Sequence, residues 1–323
     1  MMESCHVLIL STVADIATDD VVRRLASRGI NFTRINTEDY PFSKTLCFAP
    51  NGTNAKVWLN DDGRAIPLPT SVWYRRMRTP PVPEGMDSGI YEFCLQETRA
   101  TLIGSVLGLS TRWMSHPSAI WASEFKPFQL SLAAQIGLRV PPTLITNEPD
   151  AVRRAFGQFG AMIAKPVRRG HITRGSSTSA IFTSQVLKEH LDEIESARFS
   201  PTIYQALIPK RYDVRVTIVG EQVFAAAIDS QSDPAAALDW RLTNNPALPH
   251  HAMTLPSQLV GQLRRLLDSL GLTFGAIDLI QTVDGEFVFL EVNPSGQWLW
   301  LDSILNLGIS EAVALWLIGD RAA

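Results

Sequence analysis

Near the end of this 323-residue chain the sequence reads Phe289-Leu290-Glu291-Val292-Asn293-Pro294, an apolar strand that carries an acid and an amide. Side chains alternate between the two faces of a strand, so Glu291 and Asn293 lie on the same face. Upstream, Asp284-Gly285 favours a two-residue hairpin turn. In such a hairpin Val283 pairs with Glu286, and the same register places Asp278 directly opposite Glu291.

Two directly opposed carboxylates destabilise a sheet unless something compensates them. Neighbours such as Ile277, Leu279 and Val292 indicate a buried sheet, where a carboxylate pair without a cation is costly. Mg²⁺ binds one or two protein carboxylates together with phosphate oxygens and waters. We therefore expect Asp278, Glu291 and Asn293 to form a magnesium site. Taken alone, Glu-x-Asn-Pro also fits a strand that ends in a turn with exposed acids.

The composition indicates a folded globular protein of two or three lobes, with 46% hydrophobic and 19% charged residues. A net charge of -3 gives no electrostatic case for nucleic acid or an anionic membrane as the main partner. The N-terminus reads as a first buried strand and not as a signal peptide. Cys5, Cys47 and Cys94 show no Cys-x-x-Cys spacing, so neither a disulfide framework nor a zinc site is expected. These features favour a cytoplasmic protein.

The first third predicts a βαβ unit, which is typical of an α/β fold with a parallel sheet. Its helix is expected to stop at Gly29. The predicted elements are a strand at 7–10, a helix at 19–27, a strand at 32–35, a turn at 60–63, a strand at 71–75, a helix at 92–109 and a link at 113–121.

The middle third predicts a helix that stops at Gly137 and a glycine-rich loop over 166–179 that contains Arg168, Arg169 and Arg174. Such a loop fits a lid over phosphates, and it also fits an ordinary surface loop. The last third predicts two hairpins and a closing helix. The predicted elements are helices at 123–136, 149–156 and 257–270, strands at 143–146 and 162–165, and hairpins of 213–219 with 222–229 and of 275–283 with 286–292.

Four basic side chains are candidates for phosphate binding, and the two arginines among them matter only if the metal site is real. Arg215 lies on the face of its strand opposite Val214 and should line a cleft, while Arg241 stands in an Asp-Trp-Arg segment. Lys126 opens a helix and Lys165 ends an apolar strand. Each alone fits a solvated or salt-bridged residue, but two guanidiniums beside Mg²⁺ would neutralise a transferring phosphoryl group.

Taken in order along the chain, these residues resemble the ATP-grasp superfamily and, more narrowly, the graspetide or microviridin-type peptide macrocyclases. The similarity covers nearly the whole chain, and its longest segments are 34–41, 72–76, 124–130, 140–147, 228–231 and 289–298. The resemblance implies an α/β ATP-grasp fold with an N-terminal pre-ATP-grasp βαβ domain. It implies a pre-ATP-grasp domain at 1–118, a central lobe at 119–185 and a C-terminal lobe with the metal site at 186–323.

The resemblance also assigns roles to residues. Mg²⁺ would be held by Asp278, Glu291 and Asn293, and the γ-phosphate and acyl-phosphate would be steadied by Arg215 and Arg241. ATP would be bound by Lys126 and Lys165 at its phosphates, and adenine would lie against the segment Tyr204-Gln205-Ala206-Leu207. Many relatives carry an acid where Ala206 stands, so a side-chain contact to the nucleotide would come from Lys210 or Asp213.

The implied activity is that of an ADP-forming ligase dependent on ATP and Mg²⁺. It would activate Asp or Glu side chains of a ribosomally made precursor peptide, with leader and core, and join them to Ser, Thr or Lys side chains as macrocycles. A homodimer is expected from the family. Two alternatives stay open, namely an ATP-grasp ligase that joins free amino acids or small carboxylates, and a non-catalytic peptide-binding relative. The second alternative predicts decayed metal or phosphate residues, and all of them are present here.

Overall fold

The computed structural model describes residues 5–49, 56–59, 66–168, 170–174, 177–243 and 245–320, and the chain divides into two compact units. The first comprises Met1–Ser118, Gln297–Asp302 and Gly308–Ala323. The second comprises Ala119–Gly296 and Ser303–Leu307. The turn predicted at 60–63 lies outside the described residues.

The first unit is built on a parallel sheet, as the βαβ pattern predicts. Helix α1 begins after Asp15, whose side chain accepts a hydrogen bond from the Ala17 N–H, and it ends before Gly29, which has a positive φ. Its buried residues share one helical face, so the helix covers the sheet with an apolar stripe. The elements are β1 His6–Ser11, α1 Ile16–Ser27, β2 Asn31–Asn36, β3 Leu46–Ala49, β4 Lys56–Leu59, β5 Ser71–Tyr74, α2 Ser88–Leu107 and β6 Arg112–Trp113. The parallel sheet has the order β2-β1-β5-β6, and β3 pairs with β4.

The second unit opens with two helices and a four-stranded sheet. An apolar cluster that includes Val152, Met162 and Tyr204 packs α5 against this sheet. The elements are α3 Pro117–Ser123, α4 Lys126–Gln135, β7 Thr143–Thr146, α5 Pro149–Phe159, β8 Met162–Pro166, β9 His171–Arg174, β10 Ser177–Ala180, β11 Ser184–Val186 and β12 Thr202–Ala206. The sheet has the order β11-β8-β12-β7, and β9 pairs with β10.

A five-stranded antiparallel sheet completes the second unit. Helix α6 buries leucines at positions 259, 263, 266, 267 and 270 on one face. The elements are β13 Lys210–Val219, β14 Gln222–Ile228, β15 His250–Ala252, α6 Ser257–Leu270, β16 Phe274–Thr282 and β17 Phe287–Asn293. The strand order is β15-β14-β13-β16-β17, which leaves β17 at an edge.

The last hairpin differs from the prediction in its turn and in its register. Val283 does not pair with Glu286; instead the Thr282 N–H donates to the Glu286 carbonyl at 2.8 Å, around a three-residue loop in which Gly285 has φ +86°. A bulge at Leu290 then shifts the ladder back by one residue. Asp278 therefore lies opposite Glu291 as predicted, but only because two departures from the simple hairpin cancel.

Four further expectations are wrong at the level of secondary structure. The link at 113–121 contains the end of β6 and most of α3, and the predicted helix at 123–136 begins only at Lys126. The loop at 166–179 contains β9 and most of β10, which pair as an antiparallel hairpin. The single closing helix is two helices, α7 Leu299–Leu305 and α8 Ile309–Ile318.

Helix α8 belongs to the first unit and packs on α1. Glu311 accepts from Arg24 at 3.0 Å, and the Asp302 carboxylate caps the N–H groups of Ile309 and Ser310. No helix in the described part of the chain is long and apolar enough to cross a membrane.

Two glycines of the second unit should respond oppositely to alanine. A Cβ on Gly296 would lie 2.3 Å from the Ala276 Cβ and 3.0 Å from Arg215 Nη2, whereas a Cβ on Gly261, inside α6, meets nothing within 4 Å. We expect Gly296→Ala to lower the free energy of unfolding by about 1–3 kcal/mol through overpacking. Gly261→Ala should raise it by about 0.5–1 kcal/mol, because alanine favours a helix. Urea unfolding of the three proteins tests this, and destabilisation of similar size in both variants would contradict it.

Candidate active site

Three charged side chains stand side by side across neighbouring strands of the second unit. Arg215 on β13 is the cross-strand partner of Asp278 on β16, and Asp278 is the partner of Glu291 on β17. Arg215 Nη1 lies 2.6 Å from Asp278 Oδ1. The predicted opposition of two acids is confirmed, and a cation adjoins the pair on the Asp278 side.

Asn293 and Lys126 complete this cluster. The Asn293 amide nitrogen donates to Asp278 Oδ2 and to Glu291 Oε1, each at 3.2 Å. On the other side of Glu291, Lys126 Nζ lies 2.9 Å from Oε2. Asp278, Glu291 and Asn293, the predicted metal ligands, are therefore brought together, with cations on both flanks.

The bulge at Leu290 turns two consecutive side chains of β17 toward the same space. Leu290 and Glu291 both line one cavity, although neighbours on a regular strand would face opposite ways. Asn293 and Asp278 line the same cavity. Apolar lining and the acidic pair thus meet at the ladder between β16 and β17.

The cavity has a volume of about 430 Å³ and belongs wholly to the second unit. It gathers most of the predicted site residues, and its lining is of two chemical kinds. The charged and amide lining includes Lys126, Lys165, Asp213, Asp239, Arg241, Asp278, Glu291 and Asn293, and the apolar lining includes Ile163, Ala206, Leu207, Ile208, Leu279 and Leu290. Such a division suits a ligand with a flat apolar part and a strongly anionic part.

Burial and charge act in opposite directions on the two acids. Burial alone raises the pKa of Glu291, but Lys126 and Lys165 outweigh it and lower this pKa to about 2. Burial raises the pKa of Asp278 above its ordinary value, because the lowering effect of Arg215 is smaller. The pKa values of the two acids are therefore shifted in opposite directions, that of Glu291 downward and that of Asp278 upward.

Burial destabilises the charged form of Lys165. Burial lowers its pKa to about 8, although the attraction of Glu291 works against this, and Lys126 lowers it further. A lysine in this condition gains from a bound anion, since the anion stabilises the charged form.

The two predicted arginines take different positions. Arg241 lines the cavity, is fixed by Asp239 through bonds of 2.8 and 2.9 Å, and approaches Glu291 Oε1 to 4.0 Å. The Asp239 carboxylate raises the pKa of Arg241. Arg215, expected to line a cleft, is not among the cavity-lining residues in the described part of the chain. It is buried and bonds Asp278, because the paired register places it directly behind that acid.

The predicted adenine segment contains one unsatisfied polar atom. Gln205 is buried and lines the cavity, and its Nε2 donates to Thr143 Oγ1 at 2.8 Å. The Thr143 hydroxyl itself donates to the Pro141 carbonyl, so it accepts from Gln205 and the orientation of the amide is defined. Gln205 Oε1 then finds no donor among the residues that the structure describes.

Lys210 and Asp213, suggested as substitutes for an acid at Ala206, bond each other. Lys210 Nζ lies 2.9 and 2.7 Å from the Asp213 oxygens, and both residues line the cavity. Burial raises the pKa of Asp213 despite Lys210.

Two residues of the site were missed by the sequence reasoning. Asp239 was noted only as part of a segment, although it anchors Arg241. Gln129 lies in the segment 124–130 that carries the resemblance but has no predicted role, yet its side chain bonds the backbone of Val292, between Glu291 and Asn293. Its spacing of three residues from Lys126 on a predicted helix was the available signal.

No three His, Cys, Asp or Glu side chains converge within the described ranges. The candidate metal site therefore consists of two carboxylates and one amide, a hard oxygen set that fits Mg²⁺ completed by phosphate oxygens and water.

Comparison with known proteins places this site in a family context. The family described as MvdD pre-ATP grasp domain matches residues 6–120. The macrocyclase MdnC of Microcystis aeruginosa MRC, bound with the precursor peptide MdnA, is 32% identical, with a TM-score of 0.87 over 97% of this chain and 99% of that one. A RiPP-associated ATP-grasp ligase of Chryseobacterium gregarium, in complex with ADP and a leader and core peptide, is 27% identical, with a TM-score of 0.91 over 98% and 97%.

A third solved structure carries a metal. The ATP-grasp ligase PsnB, complexed with a phosphomimetic variant of minimal precursor, Mg and ADP, is 26% identical, with a TM-score of 0.79 over 98% of this chain and 99% of that one. The chain spans only 36% to 57% of the length of the curated relatives that it matches. Its likeness to MdnC extends over nearly the full length of both chains, and the protein belongs to the family of ATP-grasp ligases that contains the RiPP macrocyclases.

Proposed function

We propose that this ligase uses ATP and Mg²⁺ to activate Asp or Glu side chains of a precursor peptide and to close them onto Ser, Thr or Lys side chains as macrocycles. The observation that carries the proposal is the convergence of Asp278, Glu291 and Asn293 with Lys126 and Lys165 in one cavity. The peptides bound to MdnC and to the C. gregarium ligase support a peptide as the substrate.

The oxygens of Asp278, Glu291 and Asn293 would hold Mg²⁺. Bound there, the ion would neutralise phosphate oxygens and help to orient the triphosphate. Asn293 now places its amide nitrogen between the two carboxylates, where a cation is attracted, and turning the amide over would present its oxygen instead. Glu291, already ionised, needs no proton loss to serve as a ligand.

Three cations of the site would bind the phosphates directly, and a fourth would act on them by neutralising an acid. Lys126 and Lys165 line the cavity and would bind phosphate oxygens. Arg241, held by Asp239, would steady the γ-phosphate and the acyl-phosphate formed from it. Arg215 would act indirectly, because it forms an ion pair with Asp278 and partly neutralises that acid.

The adenine would lie against Gln205, Ala206 and Leu207. The unsatisfied Gln205 Oε1 fits the exocyclic amine of adenine, a donor that guanine lacks at that position. The apolar side chains nearby would cover the faces of the base. Lys210 and Asp213 would supply polar contacts to the nucleotide.

The reaction then proceeds by two successive displacements, the first at phosphorus and the second at the acyl carbon. A carboxylate oxygen of the peptide attacks the γ-phosphorus, the bond from that phosphorus to the ADP oxygen breaks, and ADP leaves. A hydroxyl or amine of the same peptide attacks the acyl carbon, loses its proton, and expels phosphate. The peptide loses the elements of one water for each bond, and the protein contributes positioning and charge neutralisation.

Mass spectrometry tests the proposal directly. The protein is incubated with ATP, Mg²⁺ and a candidate precursor peptide encoded nearby, and we expect loss of one water per bond formed together with ADP. An intact peptide, with ADP released instead on a free amino acid, would establish the small-substrate ligase. Peptide binding without ADP from any substrate would establish the non-catalytic relative.

The metal ligands should be essential for turnover. Glu291→Gln and Asn293→Ala are each expected to slow ADP formation by roughly 100-fold or more, because they remove preorganised charge or an oxygen ligand at the phosphates. Glu286→Gln is the matched control, since this acid of the same hairpin is exposed and pairs with Arg139. Full turnover in both site variants would show that the metal assignment is wrong.

Nucleotide affinity should fall as Lys165 loses its proton. Its pKa of about 8 is the value without ligand, so the charged form dominates below pH 8 and is lost above it. A bound triphosphate favours the charged form, hence affinity for metal-free ATP should weaken between pH 8 and 9.5 by up to about tenfold per pH unit. Titration calorimetry measures this. In Lys165→Arg the guanidinium stays charged and the slope should disappear, so equal slopes in the two proteins would contradict the assignment.

A further inference from the structure

Gln129, on α4, holds the strand of the predicted metal ligands by a pair of hydrogen bonds. Its Oε1 accepts from the Val292 N–H at 2.8 Å, and its Nε2 donates to the Val292 carbonyl at 2.8 Å. The same Nε2 donates to the Ser123 carbonyl. Gln129 is 2% exposed, so these bonds are shielded from water.

The position of Val292 gives this contact its importance. Val292 separates Glu291 from Asn293 on β17, an edge strand whose outer backbone bonds the Arg139 carbonyl at Phe289 but has no neighbouring strand at Val292. A strand residue points its N–H and C=O to the same side, so those of Val292 point away from β16 and onto Gln129. The carboxamide thus takes the place of a neighbouring strand at this one residue.

Helix α4 reaches β17 at two levels from a single helical face. Lys126 contacts the Glu291 carboxylate, and Gln129, three residues on, contacts the backbone one residue beyond. The bulge at Leu290 interrupts the ladder just before these residues, so β16 alone does not determine how they are presented. A second fixed support after the bulge limits rotation of Glu291 and Asn293 together.

We propose that Gln129 is a positioning residue that sets the metal affinity of the Glu291 and Asn293 pair by clamping Val292 between them. The inference rests on the proposed function, since it takes these side chains as metal ligands. Residues that orient metal ligands typically contribute a factor of about 10–100 to metal affinity or activity.

The test compares Gln129→Met with wild type by two measurements that do not depend on turnover. Hydrogen exchange of the Val292 amide, in protein without ligand, should be faster in the variant, while the amides of β13 keep their protection. Mn²⁺ affinity in the presence of ADP, followed by electron paramagnetic resonance of free Mn²⁺, should fall about tenfold. Affinity for ADP without metal should change less than twofold.

Gln262→Met is the matched control. Gln262 also donates to a backbone carbonyl of the second unit, that of Gly137 at 2.7 Å, but this bond is exposed to solvent and Gln262 lies on α6. This variant should keep wild-type exchange at Val292 and wild-type Mn²⁺ affinity. If Gln129→Met does not fold, Gln129→Asn, whose amide is too short to reach Val292, is expected to show the same changes.

The outcomes separate the inference from the proposed function. Wild-type protein that binds Mn²⁺ with ADP, beside a Gln129 variant with unchanged affinity and unchanged Val292 exchange, would overturn the inference alone. Faster exchange across the whole sheet, with ADP and Mn²⁺ weakened equally, would show a general structural role and would also overturn it. Wild-type protein that binds no Mn²⁺ with ADP would overturn the metal site itself and the inference with it.

Discussion

The direct opposition of Asp278 and Glu291 on adjacent strands is the constraint on which the rest of the site depends. Two buried carboxylates in register cost free energy, and the fold surrounds them with cations instead of separating them. Arg215 flanks one acid and Lys126 the other, while the amide of Asn293 bridges the pair. Within this cluster the two cations balance the two carboxylates, and Lys165 and Arg241 nearby add positive charge that suits a polyanionic nucleotide arriving with its own metal.

The consequences of this arrangement extend to the elements that carry it. Lys126 reaches the pair because α4 begins there, and Gln129 on the next turn fixes the backbone of the same strand. The bulge at Leu290 lets an apolar side chain and an acid face the cavity in succession. Burial lowers the pKa of Lys165, so a bound anion would stabilise the charged form of this side chain. Charge placement, more than shape alone, supports the proposal that this cavity binds a nucleotide.

Local patterns predicted most of the architecture and the centre of the site. Hydrophobic periodicity and turn residues predicted the βαβ opening, the first hairpin and α6, and strand spacing predicted that Asp278, Glu291 and Asn293, the proposed metal ligands, lie together. In the last hairpin the predicted pairing of Asp278 with Glu291 is correct only because a longer turn and a bulge shift the register in opposite directions. Neither shift can be read from the sequence pattern. Strand alternation predicted that Arg215 lines a cleft, but its side chain forms an ion pair with Asp278 on the neighbouring strand. Gln129 and the return of α8 to the first unit depend on contacts between segments far apart in sequence, which periodicity does not encode.

The central claim is that Asp278, Glu291 and Asn293 together hold a divalent ion beside the nucleotide phosphates. Crystals grown with ADP and Mn²⁺, measured near the manganese absorption edge, test it most directly. We expect an anomalous difference peak within bonding distance of oxygens from all three side chains and of the ADP phosphates. A manganese peak bound elsewhere in the cavity, with Asp278 and Glu291 still bridged by the Asn293 nitrogen, would contradict the account.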